Sequence, residues 1–221
     1  ARAAFDQGPW PRLSAGELLR LFLAGIVPPL AYLAIGLWLL RALRLPARGA
    51  ERAALAYVFG TGAASLGLLI LYGVGLHVPL LALAVVAATA VPALRQQAPD
   101  ELEPEVAPPE PPWIRWIDAL TLAAGALLFL AALGPETYWD GFEYHLPIAK
   151  AWAEHGIHAL PGVLDAELRA GINLLYGPAL AAGQPDAAAS VSAGFALALA
   201  ALVRAEARRR ASPGAGSLAA F

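Results

Sequence analysis

The chain has 221 residues, of which 59% are hydrophobic and only 14% charged, with a formal net charge of −2. A soluble domain carries about 25% charged residues, and the lack of cysteine excludes disulfides, thiolate metal sites and a thiol nucleophile. No basic face is concentrated enough for nucleic acid, which is not expected as a partner.

Mean hydropathy is +0.59, and the apolar residues fall in runs of roughly 17–25, enough to cross a hydrocarbon core about 30 Å thick. In lipid every backbone N–H and C=O must be paired within its own segment, which leaves helices or closed barrels. The runs are continuous rather than alternating. The expected fold is therefore all-α, a polytopic transmembrane helical bundle with the lipid bilayer around it. Methionine is absent even at position 1, and Pro213–Phe221 starts a helix that then stops. The chain is expected to be a piece of a longer protein, incomplete at its C-terminus.

Residues 1–16 are a polar lead-in without the layout of a cleaved signal peptide. The first span is predicted over about 17–40, with a kink at Pro28-Pro29, because a proline pair frees backbone acceptors. Arg41, Arg44, Arg48 and Arg52 crowd the connection to a second span over about 53–74. Its Gly60, Gly62 and Gly67 read as close-packing positions rather than a nucleotide loop. His77 reads as interfacial filler before a third span at about 79–94. Residues 1–94 thus make a three-span N-terminal membrane region.

Residues 95–112 read RQQAPDELEPEVAPPEPP, acidic and proline-rich with no apolar periodicity. Such a segment buries too little surface to fold and is expected to be a semi-rigid extended linker. Trp113, Arg115 and Trp116 anchor a fourth span over about 117–133, with Asp118 at headgroup level. Residues 166–183, broken by Gly171, Gly177 and Pro178, read as an amphipathic or shallow juxtamembrane helix. A fifth span follows over about 187–203, and Arg204, Arg208, Arg209 and Arg210 come after it.

Basic residues favour cytoplasmic loops. The arginine groups at 41–52 and 204–210 share that side if the spans alternate, which makes the 95–112 linker cytoplasmic and residues 134–186 an extracytoplasmic loop carrying juxtamembrane helices. The same alternation puts the N-terminal Arg2 and Arg12 outside.

That loop holds the densest chemistry in the chain, Tyr138-Trp139-Asp140-Gly141-Phe142-Glu143-Tyr144-His145-Leu146-Pro147-Ile148-Ala149-Lys150. Asp140 and Glu143 are three residues apart and would project from neighbouring positions of a helix. A carboxylate at the edge of an apolar slab can have its pKa raised and act as a general base. The same two residues also fit a capping box that simply starts a helix, and the four aromatics fit an interfacial belt. His145 is a candidate to share the base role or to hold a metal. Lys150 is the only lysine, on one helical stripe with Glu143, Pro147 and Glu154. His155 and His158 read as solvated, and the histidines lack zinc-site spacing.

W-D-G-F-E-Y-H-L-P-I-A-K-A-W-A-E-H-G, placed directly after a span, resembles the first extracytoplasmic loop of the GT-C glycosyltransferases. That family includes the protein O-mannosyltransferases and the aminoarabinose transferases of lipid A. Its loop opens with an acidic residue, often the first of an Asp-Glu pair, four residues before a tyrosine; Asp140 and Tyr144 match that spacing. Gly141 stands where the second acid would be. Ala170-Gly-Ile-Asn173-Leu-Leu-Tyr176, then Gly183-Gln-Pro-Asp186, is similar to the second juxtamembrane helix and following span of the bacterial branch. The resemblance covers about residues 113–221, and residues 1–112 match no family.

The resemblance implies an integral protein of the bacterial inner (plasma) membrane that moves a sugar, with inversion, from a polyprenyl-phosphate donor to an extracytoplasmic lipid, glycan or protein acceptor. Asp140 would act as the base, assisted by Glu143. Lys150 or Arg169 would meet the charge of the leaving phosphate, and Tyr144, His145, Asn173 and Tyr176 would line the substrate groove. No residue is assigned to a metal and no cofactor is fixed; a divalent cation is left open, with Gly141, in place of the second acid, weighing against it. The competing expectation is a non-enzymatic polytopic protein, a transporter or an assembly subunit for envelope polysaccharide. It is disfavoured because charge is nearly absent from the spans and concentrated beyond a span end.

Overall fold

The computed structural model describes residues 14–76, 112–134, 145–155, 170–210 and 219. The expected third span, nearly all of the acidic linker, and Asp140, Glu143, Tyr144 and Arg169 lie outside them. Among the described residues there are six α-helices and no strand: α1 (Ala15–Ala42), α2 (Gly49–Gly73), α3 (Pro112–Ala131), α4 (Leu146–His155), α5 (Ala170–Ala181) and α6 (Ala189–Arg210). A single 3₁₀ turn at Pro185–Ala188 leads into α6. Four of these helices, α1, α2, α3 and α6 with its leading turn, are long and apolar enough to cross a membrane. The chain is an all-α helical membrane protein.

Each span outruns its apolar window because backbone hydrogen bonding continues where side chains turn polar. α1 starts at a capping box: Ser14 Oγ accepts from the Glu17 N–H at 3.2 Å, and Glu17 Oε2 accepts from the Ser14 N–H at 2.7 Å. The helix continues through Pro28-Pro29 to Ala42. It ends in a Schellman turn, with Leu45 N–H on the Leu40 carbonyl and Arg44 at φ +54°, a conformation more often taken by glycine. That turn sends the chain back as α2.

α1 and α2 meet backbone to backbone. A Cβ at Gly36 would overlap the Ala56 carbonyl, and one at Gly60 would overlap the Tyr32 carbonyl. Between lipid-exposed helices such small residues let van der Waals contact and weak Cα–H···O contacts supply the association. α6 then docks on α2: the Tyr57 hydroxyl donates to the Val191 carbonyl at 2.9 Å, and its ring meets Phe195 edge-on at 5.4 Å. Gly194 leaves room for that ring. α3 is the most peripheral span. Its Gly125 admits Leu197 of α6, and most of its other large apolar side chains face outward.

Charge gathers at one end of the bundle. Arg204 of α6 pairs with Asp118 of α3, and Arg209 reaches Glu51 at the start of α2, 2.8 Å away. Arg209 and Arg210 also clasp Glu206. The end of α6 therefore lies with the starts of α2 and α3, the relative arrangement expected from alternating spans.

Candidate functional site

Helix α5 positions the candidate site, and it sits deeper than a helix lying across the bundle end. Ser65 Oγ of α2 donates to the Gly171 carbonyl at 3.0 Å, and the Tyr72 hydroxyl crowds the space a Cβ at Gly177 would take. The contacts thus advance in the same order along α2 and α5, so the two helices run side by side in the same direction. From α1 the Tyr32 hydroxyl donates to the Leu175 carbonyl at 2.9 Å. At 1.5 Å rise per residue, the Ser65 contact lies about 12 Å inside the end of α2, and Asn173 about 9 Å inside it. The sequence suggests an amphipathic or shallow juxtamembrane helix here rather than a span. The difference arises because the stretch read as broken is continuous helix held by α2: Ser65 bonds the Gly171 carbonyl, and Gly177 leaves room for the Tyr72 hydroxyl.

With 12 residues, α5 is too short to span. It closes at Gly183, φ +71°, where the Gln184 N–H bonds the Ala179 carbonyl, and the chain turns through Pro185 into α6.

α4 packs against α5. Ile148, Ala149 and Trp152 are buried on one face of it, and His145, partly buried, continues that stripe toward the N-terminus. His145 Nδ1 stands 2.8 Å from Asn173 Oδ1. Asn173 is completely buried, and its Nδ2 has no hydrogen-bond partner among the described residues. The Tyr176 ring meets the His145 ring edge-on, with centroids 6.3 Å apart, and the Tyr176 hydroxyl shares a 2.8 Å hydrogen bond with Ser192 Oγ of α6. A polar track thereby crosses from α4 over α5 to α6.

Of the sequence-predicted site residues, the structure brings together His145, Asn173 and Tyr176. Lys150 is on the other side of α4, exposed and 3.9 Å from the similarly exposed Glu154; five residues from His145 on a helix is a turn of about 140°. The sequence does not single out Ser192 or Trp152. Trp152 is 4% exposed, with an indole N–H that has no partner among the described residues. Its signal was present in the seven-residue step from His145, which puts both on one helical face.

Among the described residues, no group of three or more His, Asp or Glu could hold a metal ion. No protein-family model, curated protein or solved structure matches this chain.

Proposed function

We propose that the chain belongs to a membrane glycosyltransferase that moves a sugar from a polyprenyl-phosphate donor to an extracytoplasmic acceptor. The observation that carries this reading is the 2.8 Å contact between His145 and Asn173. It joins the two separate stretches whose residues resemble the GT-C loop and its second juxtamembrane helix, and it lies far from the ionic end of the bundle. Arginine-rich ends favour the cytoplasm, so the opposite end, with the His145–Asn173 pair, faces outward in this reading.

In the reaction, Asp140 takes the proton of the acceptor hydroxyl as its oxygen attacks the anomeric carbon. The bond from that carbon to the phosphate oxygen breaks, and polyprenyl phosphate leaves with the bonding pair. Attack opposite the leaving group inverts the anomeric centre. The apolar spans hold the lipid carrier, while Tyr176 and Asn173 border the sugar.

A carrier reading draws on the depth of α5, since transporters also place short helices and polar side chains inside the bundle. Both are tested together by reconstituting the full-length protein in proteoliposomes with a panel of polyprenyl-phosphate sugars. Glycosylated acceptor should form with wild type and vanish with Asp140→Asn at unchanged membrane insertion. Transfer that survives Asp140→Asn removes the catalytic assignment; sugar that crosses the bilayer unreacted favours the carrier.

A further inference from the structure

We propose that the seam between α4 and α5 is a binding site for the neutral, hydroxyl-bearing sugar of the donor lipid, read by His145 and Asn173 inside the bundle. The proposal rests on the function argued above and specifies which part of the donor this pair recognises.

The pair leaves at least one hydrogen-bond donor and one acceptor unused. With Asn173 Oδ1 facing His145 Nδ1, the imidazole is protonated at Nδ1, its Nε2 lone pair is open, and Asn173 Nδ2 carries free N–H groups. Turning the amide over exchanges the roles: Nδ2 donates to Nδ1, Nε2 carries the proton, and Oδ1 is the free acceptor. Either way the pair offers a free donor beside a free acceptor, which complements a hydroxyl group.

A phosphate would instead call for several donors and positive charge. Lys150 pairs with Glu154, Arg204 with Asp118, and Arg209 and Arg210 with Glu206, all away from the His145–Asn173 contact. No described ion pair or hydrogen bond joins the His145–Asn173 pair to a charged side chain.

Burial makes the unused groups informative. Asn173 is fully buried, and the Trp152 indole N–H, two turns further along the same face of α4, is a second buried donor without a partner among the described residues. Buried polar groups are almost always satisfied, and an orphan calls for a ligand or ordered water. Two turns of helix are about 10 Å, a separation that a hexose and the oxygen linking it to its carrier can bridge. Tyr176, edge-on to His145, walls one side of the seam.

The test compares three probes on the full-length protein in nanodiscs: polyprenyl phosphate without sugar, the same lipid bearing a hexose, and a deoxyhexose analogue. Wild type should bind the hexose lipid about tenfold more tightly than the bare lipid, a gap of about one hydrogen-bonded pair. Asn173→Leu should erase that gap and leave bare-lipid affinity unchanged. Because a core substitution can impair folding, the ¹⁵N signal of His145 Nε2 in unaltered protein is a second readout; it should move with the hexose lipid and not with bare lipid.

Equal affinity for both lipids in wild type, or an unmoved Nε2 signal, means that water meets these groups, and the proposal falls. Asn173-dependent sugar binding without any transfer upholds the site and removes the enzyme. Transfer that is indifferent to Asn173→Leu, with Nε2 silent, removes the site and keeps the enzyme.

Discussion

The hydroxyl of Tyr32, completely buried in α1, donates to the main-chain carbonyl of Leu175 in α5 at 2.9 Å, tying positions 143 apart in sequence. This bond fixes the height of α5 against the first span, and with it the height of Asn173. Tyr32→Phe keeps the ring and deletes the donor. It should destabilise the protein by about 1–2 kcal/mol, the cost of losing a buried hydrogen bond. Thermal unfolding in detergent reads this directly, and an unchanged midpoint would show that α5 is held by packing alone.

The α1–α2 crossing gives a larger effect. Gly36→Leu and Gly60→Val each drive a side chain into a facing backbone carbonyl, of Ala56 and Tyr32 respectively. Backbone cannot yield as a side-chain tip does, so each substitution should cost about 3 kcal/mol or more, at the upper end of overpacking. Gly62→Ala and Gly67→Ala, which meet open space, are the matched controls and should leave stability unchanged or slightly raised. Cysteine crosslinking across the α1–α2 interface should fall for the first two variants alone.

Asp118 and Arg204 form a partly screened pair, with side chains 28% and 24% exposed. Removing one partner strands the other charge, so Asp118→Leu should destabilise by about 1–3 kcal/mol, less than for a fully buried pair. The double variant Asp118→Leu, Arg204→Leu should regain much of that loss. A double variant no better than the single would mean the pair does not join α3 to α6.

Orientation has its own measurement. Single cysteines placed at Gly156 and at Glu103 should react with an impermeant thiol reagent from opposite faces of sealed vesicles. Reaction from one face only would overturn the alternation of spans on which the outward placing of the site depends.

The long helices were readable because desolvation leaves no choice: an uncharged apolar run of this length must pair its own backbone, and does so as helix. The first span, expected over about 17–40, runs Ala15–Ala42, and the fourth, expected over about 117–133, runs Pro112–Ala131. Asn173 and Tyr176 were singled out through the resemblance of their stretch to a juxtamembrane helix. Their partners were not. Nothing local to His145 says that its ring will meet an amide 28 positions away, or that Ser192 will meet Tyr176. The depth of α5 was hidden for a related reason. Gly177 looks the same in sequence whether it breaks a helix or admits a neighbour, and only the opposing Tyr72 decides between the two, while Gly171 is held through its carbonyl by Ser65.

Three hydroxyls secure the second half of the bundle to the first, from Tyr32, Tyr57 and Ser65, and each one lands on a main-chain oxygen, of Leu175, Val191 and Gly171. A peptide carbonyl is present whatever side chain its residue carries. These hydroxyl links are thus indifferent to which side chain the accepting residue carries, although the packed positions of α5, such as Gly177 against Tyr72, are not. The same frame could accommodate a different choice at Asn173, and so a different cargo, without being rebuilt.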